Sequence, residues 1–258
     1  MKKILFLILL LAARLDAAVA FKSVGSIVGN ATTTTLNIVS PGTGYATNDI
    51  LIAAINGKDN LQITAPGAQG NMGAWTIFAE GNNTANQRFT LACARATGDD
   101  ADGDTFGFTK STDNNLLFAG VISQWSGALT TGTCADALDA TAESISNNAS
   151  ADDVTYATFD PTETNAFVVA IGFYNEDLTT AGSISGTDPT YTNRWDLEVP
   201  TGTDCSIFGY SGASSGAATG SRTHSTTSTV DAINIGVQFG FKEAPPTAGV
   251  GWFGAGWQ

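Results

Sequence analysis

An antiparallel β-sandwich is the fold this sequence predicts, and three observations predict it. Short apolar or β-branched runs alternate with clusters of Gly, Pro, Asn and Asp along the 258 residues, with no helical period in the body of the chain. The last run alternates cleanly, with Ile233, Ile235, Val237, Phe239 and Phe241 against Asn234, Gly236, Gln238 and Gly240, the period of a strand with one face in a core. Finally, Asn165 to Gly172 (NAFVVAIG) has a near copy in Asp49 to Asn56 (DILIAAIN), 116 positions upstream, so the sandwich is read as two sequence-related halves.

That offset lays Ala54 on Ala170, Ile55 on Ile171, Gly120 on Gly236 and Val121 on Val237; Trp75 meets Trp195 at an offset of 120. Half one covers about residues 21–128 and half two about 154–243, joined by a polar linker from Leu129 to Asp153. A chain of this length fits a single all-β unit, and the close equivalence of the halves suggests one shared sandwich whose strands interleave.

The elements follow in order. Met1-Lys2-Lys3, the apolar run Ile4 to Ala13 and the small residues Ala18-Val19-Ala20 form a signal-like leader over residues 1–20. Its apolar run is far shorter than the roughly 20 residues a bilayer span needs. An uncleaved anchor or a misassigned start is the competing reading. Thr32 to Ser40 is a β-branched strand stopped by Pro41-Gly42. Asp49 to Ile55 is the first core strand, and Pro66 to Gly73 is a loop leading into a strand over Trp75 to Ala79. After the turn cluster Asn82 to Asn86 come strands over Arg88 to Ala96, Thr105 to Thr109 and Leu116 to Trp125. Half two repeats the order with Val154 to Phe159, Asn165 to Ile171, Arg194 to Val199, Cys205 to Ser211, Ser221 to Thr227 and Ala232 to Phe241.

Leu51, Ile52 and Ile55, like Phe167, Val168, Val169 and Ile171, put apolar groups on both faces of their strands. A free antiparallel sandwich gives no reason for this, so loops, the other half or a neighbouring subunit are expected to cover the outer faces.

Charge narrows the partners. With 11 basic and 24 acidic side chains the net charge is −13, which repels the phosphates of nucleic acid and acidic membrane surfaces. Loss of the leader removes Lys2, Lys3, Arg14 and Asp16, leaving 8 basic and 23 acidic side chains and a net charge of −15. A low charge density with 43% apolar residues still suits a packed core.

The turns and core strands resemble two-repeat jelly-roll proteins, similar to concanavalin A-like sandwiches, of bacteriophages and some bacteria. The resemblance rests on Ser40-Pro41-Gly42-Thr43 leading into Asn48 to Ile55, on Pro66-Gly67 with Trp75, on Ser126-Gly127 closing half one and on Thr164 to Ala170 opening half two, and it covers about Phe21 to Lys242. It implies a jelly-roll-like fold and a virion or secreted surface protein without enzyme activity. A capsid-decoration or appendage protein that docks on neighbours and contacts a host surface is the leading expectation. A secreted carbohydrate-binding module that recognises surface glycans is the alternative. The leader and the inserted Ala68 to Ala74 depart from the family pattern, and no lectin sugar or calcium motif maps residue for residue.

Candidate chemistry is sparse. Gly212-Ala213-Ser214-Ser215-Gly216 matches G-x-S-x-G, but no helix follows as a nucleophile elbow requires, so a triad of Ser214, His224 and Asp231 yields to an ordinary turn. Asp99, Asp100, Asp102 and Asp104 alternate oxygens as loops that wrap Ca²⁺ do, and they are the calcium candidate. The Gly and Glu positions of an EF-hand are not met, and a solvated hairpin loop is the other reading. No other cofactor is expected. The glutamates are scattered, with nothing to pair them for glycoside hydrolysis. Cys93, Cys134 and Cys205 allow one bridge and one thiol, with the pairing open; Cys93 on its apolar strand reads as a small buried hydrophobe. Trp75, Trp125 and Trp195 read as core aromatics rather than sugar platforms. Asn30, Asn82 and Asn148 open N-glycosylation patterns that carry little weight in so Asn- and Thr-rich a chain.

Beyond Lys242, Pro245-Pro246 cannot continue a central strand, and the tail of residues 244–258 carries Trp252, Phe253 and Trp257 among glycines. Three large aromatics are expected to find apolar surface, which makes the tail a docking arm toward protein neighbours in a virion or a homo-oligomer.

Overall fold

The computed structural model describes residues 18–30, 32–42, 44–58, 61–83, 87–101, 103–111, 117–139, 146–148, 153–163, 166–175, 183–199, 205–225 and 234–244. The strands in the first part are β1 (Ala20–Val24), β2 (Val28–Asn30), β3 (Thr35–Val39), β4 (Ile50–Lys58), β5 (Ile63–Thr64), β6 (Thr76–Asn83), β7 (Gln87–Arg95), β8 (Thr105–Lys110) and β9 (Phe118–Ser126). A short 3-10 turn at Ala135–Ala137 precedes β10 (Leu138–Asp139), β11 (Ser146–Asn148), β12 (Val154–Tyr156), β13 (Phe167–Tyr174) and β14 (Ser183–Ile184). The last four are β15 (Thr192–Glu198), β16 (Ser206–Ala213), β17 (Arg222–Ser225) and β18 (Asn234–Phe241). The fold is all-β, and every ladder is antiparallel.

Four sheets stack in layers. The two inner sheets have six strands each, in the orders β1-β9-β4-β7-β6 with β2 also on β9, and β10-β18-β13-β16-β15 with β11 also on β18. Two three-stranded sheets, β3-β8-β5 and β12-β17-β14, cover them from outside. Each order in the second set is the first with every strand replaced by the one nine places later. The strands β4 and β13 therefore take the same central place in the two orders.

The inner sheets meet over one core that includes Ile50, Ile52, Phe89, Leu91, Val121 and Trp125 from one side and Val169, Ile171, Phe173, Trp195, Val237 and Phe241 from the other. Rings interlock across it: Phe89 stacks on Phe173 at 5.5 Å between centroids, and Trp125 packs on Phe241 at 5.3 Å. Leu51, Ala53 and Ile55 point the other way, onto Leu36, Ile38, Phe106 and Phe108 of the first outer sheet. Ala170 and Tyr174 pack likewise against Val154 and Tyr156 of the second. The two-sided apolar strands are thus covered by strands of the same chain. Even the polar face of β18 is buried, with Asn234 and Gln238 at 0% exposure.

The register corrects three expectations. Val121 and Val237 both face the inner core, and opposite them stand Ala54 and Ile171. Ala54 therefore answers to Ile171, whereas Ala170 lies on the outer face. The sequence overlay that set Ala54 on Ala170 is one residue out, and in a strand one residue turns every side chain to the opposite face. The tryptophans do not match either. Both edge ladders shift register, between Ile77 and Ala79 and between Asn193 and Trp195, which places Trp195 opposite Gly209 where Ala79 stands opposite Leu91. Trp75 instead packs in the first outer layer, edge-on to Phe106 and Phe108. Nor do strands interleave: each sheet draws its strands from one side of Gly127, and the bridge Ala128↔Glu243 ties the two sides where β18 ends.

The segment from Leu129 to Asp153 is more than a linker. It contributes β10 and β11 to the second inner sheet, in runs of two and three residues too short to show a period. Cys134 lies in it and is bonded to Cys93, with a sequence separation of 41. Cys93 is therefore a bridge cysteine as well as a core residue, and Cys205 is the remaining thiol, buried. At the start, Val19 is buried in the inner core and Ala20 pairs with Ser126. Residues 1–17 of the leader and the tail aromatics Trp252, Phe253 and Trp257 lie outside the described residues.

Candidate functional site

The acidic loop is held by its neighbours. Tyr45 and Asp100 exchange both backbone hydrogen bonds, at 3.0 and 2.8 Å. Gly44, at φ +70°, permits that approach: a Cβ there would lie 2.2 Å from the Asp100 carbonyl oxygen. The Tyr45 hydroxyl donates to Asp104 Oδ2 at 2.5 Å and to Asp100 Oδ2 at 3.3 Å. Burial raises the Tyr45 phenol well above its ordinary range, and the two carboxylates beside it raise it further. Asp99 turns aside to accept from the backbone N–H and the hydroxyl of Thr47 at 2.7 and 2.9 Å, and these bonds hold its carboxyl below the usual range. Asp104 N–H donates to Ser40 Oγ at 2.9 Å. Asp102 lies outside the described residues. Three of the four calcium-candidate carboxylates are thus spent on tyrosine and threonine donors, and among the described residues no three acidic, His or Cys groups converge as metal ligands.

The serine and histidine of the G-x-S-x-G pattern have separate partners. Ser214 Oγ donates to the Ala217 carbonyl at 3.4 Å and accepts from Gly216 N–H at 3.2 Å, which is turn chemistry. His224 sits on β17 and pairs through Nε2 with the Tyr210 hydroxyl at 2.9 Å, its ring 4.2 Å from that of Phe208. Asp231 lies outside the described residues. Ser215 donates through its hydroxyl and its N–H to Asp188, whose carboxyl is held low by those bonds.

His224 belongs to a layer whose chemistry the sequence patterning did not isolate. Where the first outer layer packs Phe106, Phe108 and Ile38, the second gathers Tyr156, Tyr210 and His224, with Tyr191 at its rim. The Tyr191 hydroxyl bonds Gln238 Oε1, and Gln238 Nε2 donates to the Ala157 carbonyl at 2.6 Å. The Tyr156 hydroxyl is buried and meets no partner among the described residues. Burial raises the phenols of Tyr156, Tyr191 and Tyr210. A second polar brace crosses the inner core: Asn56 Nδ2 donates at 3.0 Å to both the Tyr174 carbonyl and Cys205 Sγ, and Gln87 Nε2 donates to Asn56 Oδ1 at 3.0 Å.

A groove of about 480 Å³ runs between the edge strands β5 and β6, with Ile77 and Phe78 along it and Gln62, Thr64, Glu80 and Ser111 at its rim. Trp75, Trp125 and Trp195 are exposed by only 6%, 0% and 4%, so none offers a face on which a sugar ring could stack. Another cavity, of about 250 Å³, lies at the end of β7 against Arg95. The alternation Phe89, Leu91, Cys93, Arg95 carries the signal for it, a guanidinium on the core face of a strand.

The chain matches no family model, no curated protein and no solved structure.

Proposed function

We propose that this protein is a non-enzymatic structural component of a virion or other extracellular surface, a jelly-roll-like sandwich of two duplicated units that docks on neighbouring subunits through its C-terminal arm. One observation carries the reading: the groups that would have to perform chemistry serve as braces between layers and loops. Ser214 closes a turn, His224 joins β17 to β16 through Tyr210, and Asp99, Asp100 and Asp104 fasten one loop to another. The matching strand orders support duplication. The Cys93–Cys134 bridge suits an oxidising setting, as does the signal-like leader. The alternative, a carbohydrate-binding module, keeps the groove beside β6 but has no exposed tryptophan platform among the described residues.

The arm begins where the sandwich ends, with Ala244 N–H donating to the Gly127 carbonyl at 3.1 Å. Burying each of Trp252, Phe253 and Trp257 contributes roughly 2 to 3 kcal/mol, set against about 1 to 2 kcal/mol for ordering each residue of the arm. Docking therefore needs backbone pairing as well as aromatic burial. The test compares the full chain with one ending at Ala244 by sedimentation velocity and circular dichroism. The expected outcome is a shortened chain that keeps its β spectrum and fails to assemble. Equal assembly of the two chains would remove the arm from the account.

A further inference from the structure

We propose that the open edge of β6 takes the C-terminal arm of a second copy of this chain as an added antiparallel strand. This rests on the reading of residues 244–258 as a docking arm and names the surface that the arm reaches. Aromatic burial alone does not hold the arm, so its dock must offer unpaired backbone together with apolar surface. Both occur at β6. It is the last strand of its sheet, and among the described residues β7 is the only strand it pairs with. Beside it runs the groove of about 480 Å³, with Ile77 and Phe78, both partly buried, along it and Ile63 of β5 across from them.

The edge strand of the second inner sheet is defended where β6 is not. Along β15 stand Arg194, Asp196 and Glu198, and charge on an edge strand opposes pairing with another chain. The described side chains of β6 include one charged group, Glu80, which Arg88 already meets at 2.8 Å. Both edge ladders carry a register shift, so charge is what separates them.

The arm suits this edge in composition and in direction. Residues 244–258 carry no charged side chain, so the arm approaches a body of net charge −13 without repulsion. Laid out as a strand, it sets Phe253, Ala255 and Trp257 on one side and Trp252, Gly254 and Gly256 on the other. The first side fills the groove against Ile63 and Ile77, and the slimmer side lies beside Phe78. The arm leaves the sandwich at Ala244, which donates to the Gly127 carbonyl just past the end of β9. That end of the sheet is also where β6 begins, since Trp125 pairs with Ile50, Ile50 with Arg95, and Cys93 with Thr76. A chain's own arm therefore enters at Thr76 and lies parallel to β6 unless it doubles back. The arm of a neighbour enters at the Asn83 end and runs antiparallel, as every ladder of the fold does.

The test mixes two full chains, one carrying Thr64→Cys at the groove rim and the other Ala255→Cys in the arm, oxidises them and measures the disulfide-linked heterodimer. Thr192→Cys on β15 replaces Thr64→Cys as the control edge; both threonines are exposed, and circular dichroism checks that each variant keeps its β spectrum. The expected yield with Thr64→Cys is at least tenfold that with Thr192→Cys. Equal yields at the two edges, absent ones included, would overturn the β6 assignment. So would a chain carrying both Thr64→Cys and Ala255→Cys that bridges within itself while the mixed chains do not link. Either result leaves the arm reading standing, provided that the chain ending at Ala244 still fails to assemble. If that shortened chain assembles as the full chain does, the arm reading falls and the β6 dock falls with it.

Discussion

At the edge of the second inner sheet the Trp195 indole lies across Gly209, whose hypothetical Cβ would fall 2.1 Å from Cζ2 of that ring. The corresponding place in the first inner sheet holds Ala79 against Leu91, so the same gap is filled once by a large edge residue and once by a large interior one. Gly209→Ala should therefore cost about 1 to 3 kcal/mol through overpacking, and Trp195→Ala about 3 to 5 kcal/mol through cavity formation. Combining Trp195→Ala with Gly209→Leu rebuilds the Ala79–Leu91 arrangement and should recover part of the loss, a coupling of about 0.5 to 3 kcal/mol read by urea unfolding. Simple additivity of the two changes would contradict the equivalence. This level was the least legible in the sequence. Trp75 and Trp195 resemble one another as letters, but the register shifts in both edge ladders set Trp195 against Ala79. Cys93 looked like any small apolar residue because its partner lies in a segment without strand pattern, although the bridge contributes about 2 to 4 kcal/mol.

Among the elements, the long strands were legible and the short ones were not. The runs that became β4, β7, β9, β13, β16 and β18 are eight or nine residues long, enough to read through noise in single positions. The strands β5, β10 and β14 have two residues each, and no period exists in two residues. Two-sided apolarity correctly demanded a cover; its source in the chain's own outer sheets follows from pairings far apart in sequence, such as Val154↔His224. Buried phenols give the second outer layer and its surroundings a pH dependence. Tyr156, Tyr191 and Tyr210, chiefly through burial, hold their protons more tightly folded than unfolded. Their contribution is complete below the unfolded phenol value of about 10 and is lost as pH rises toward the folded values. Alkaline titration should show phenolate absorbance from these residues rising together with loss of β structure. Ionisation of all the tyrosines near pH 10 with the fold intact would contradict their placement.

For the whole molecule, the sequence foretold an all-β chain with two related apolar centres, and the structure places those centres in the middle of two facing sheets. What pattern alone could not supply is the layering, since stacking order depends on contacts such as Phe89 on Phe173 and Phe78 on Phe239 that join distant strands. The candidate site was legible only as a set of residues to be tested. That Ser214 closes a turn and His224 bonds Tyr210 is set by contacts the sequence does not display, and the acidic loop's engagement with Tyr45 and Thr47 requires a loop some fifty residues away, at Asp99 to Thr47 a separation of 52.

One core shared by both inner sheets, with Asn56 bracing it to the Tyr174 carbonyl, predicts that the chain unfolds as a single cooperative body. Native-state hydrogen exchange at increasing denaturant tests this most directly, because it reads the opening free energy of each strand separately. The account expects the amides of β4 and β13 to exchange slowest and at one common free energy, that of global unfolding. Exchange of either central strand through a separate, lower-energy opening while the other stays protected would show that the two sheet pairs are independent bodies.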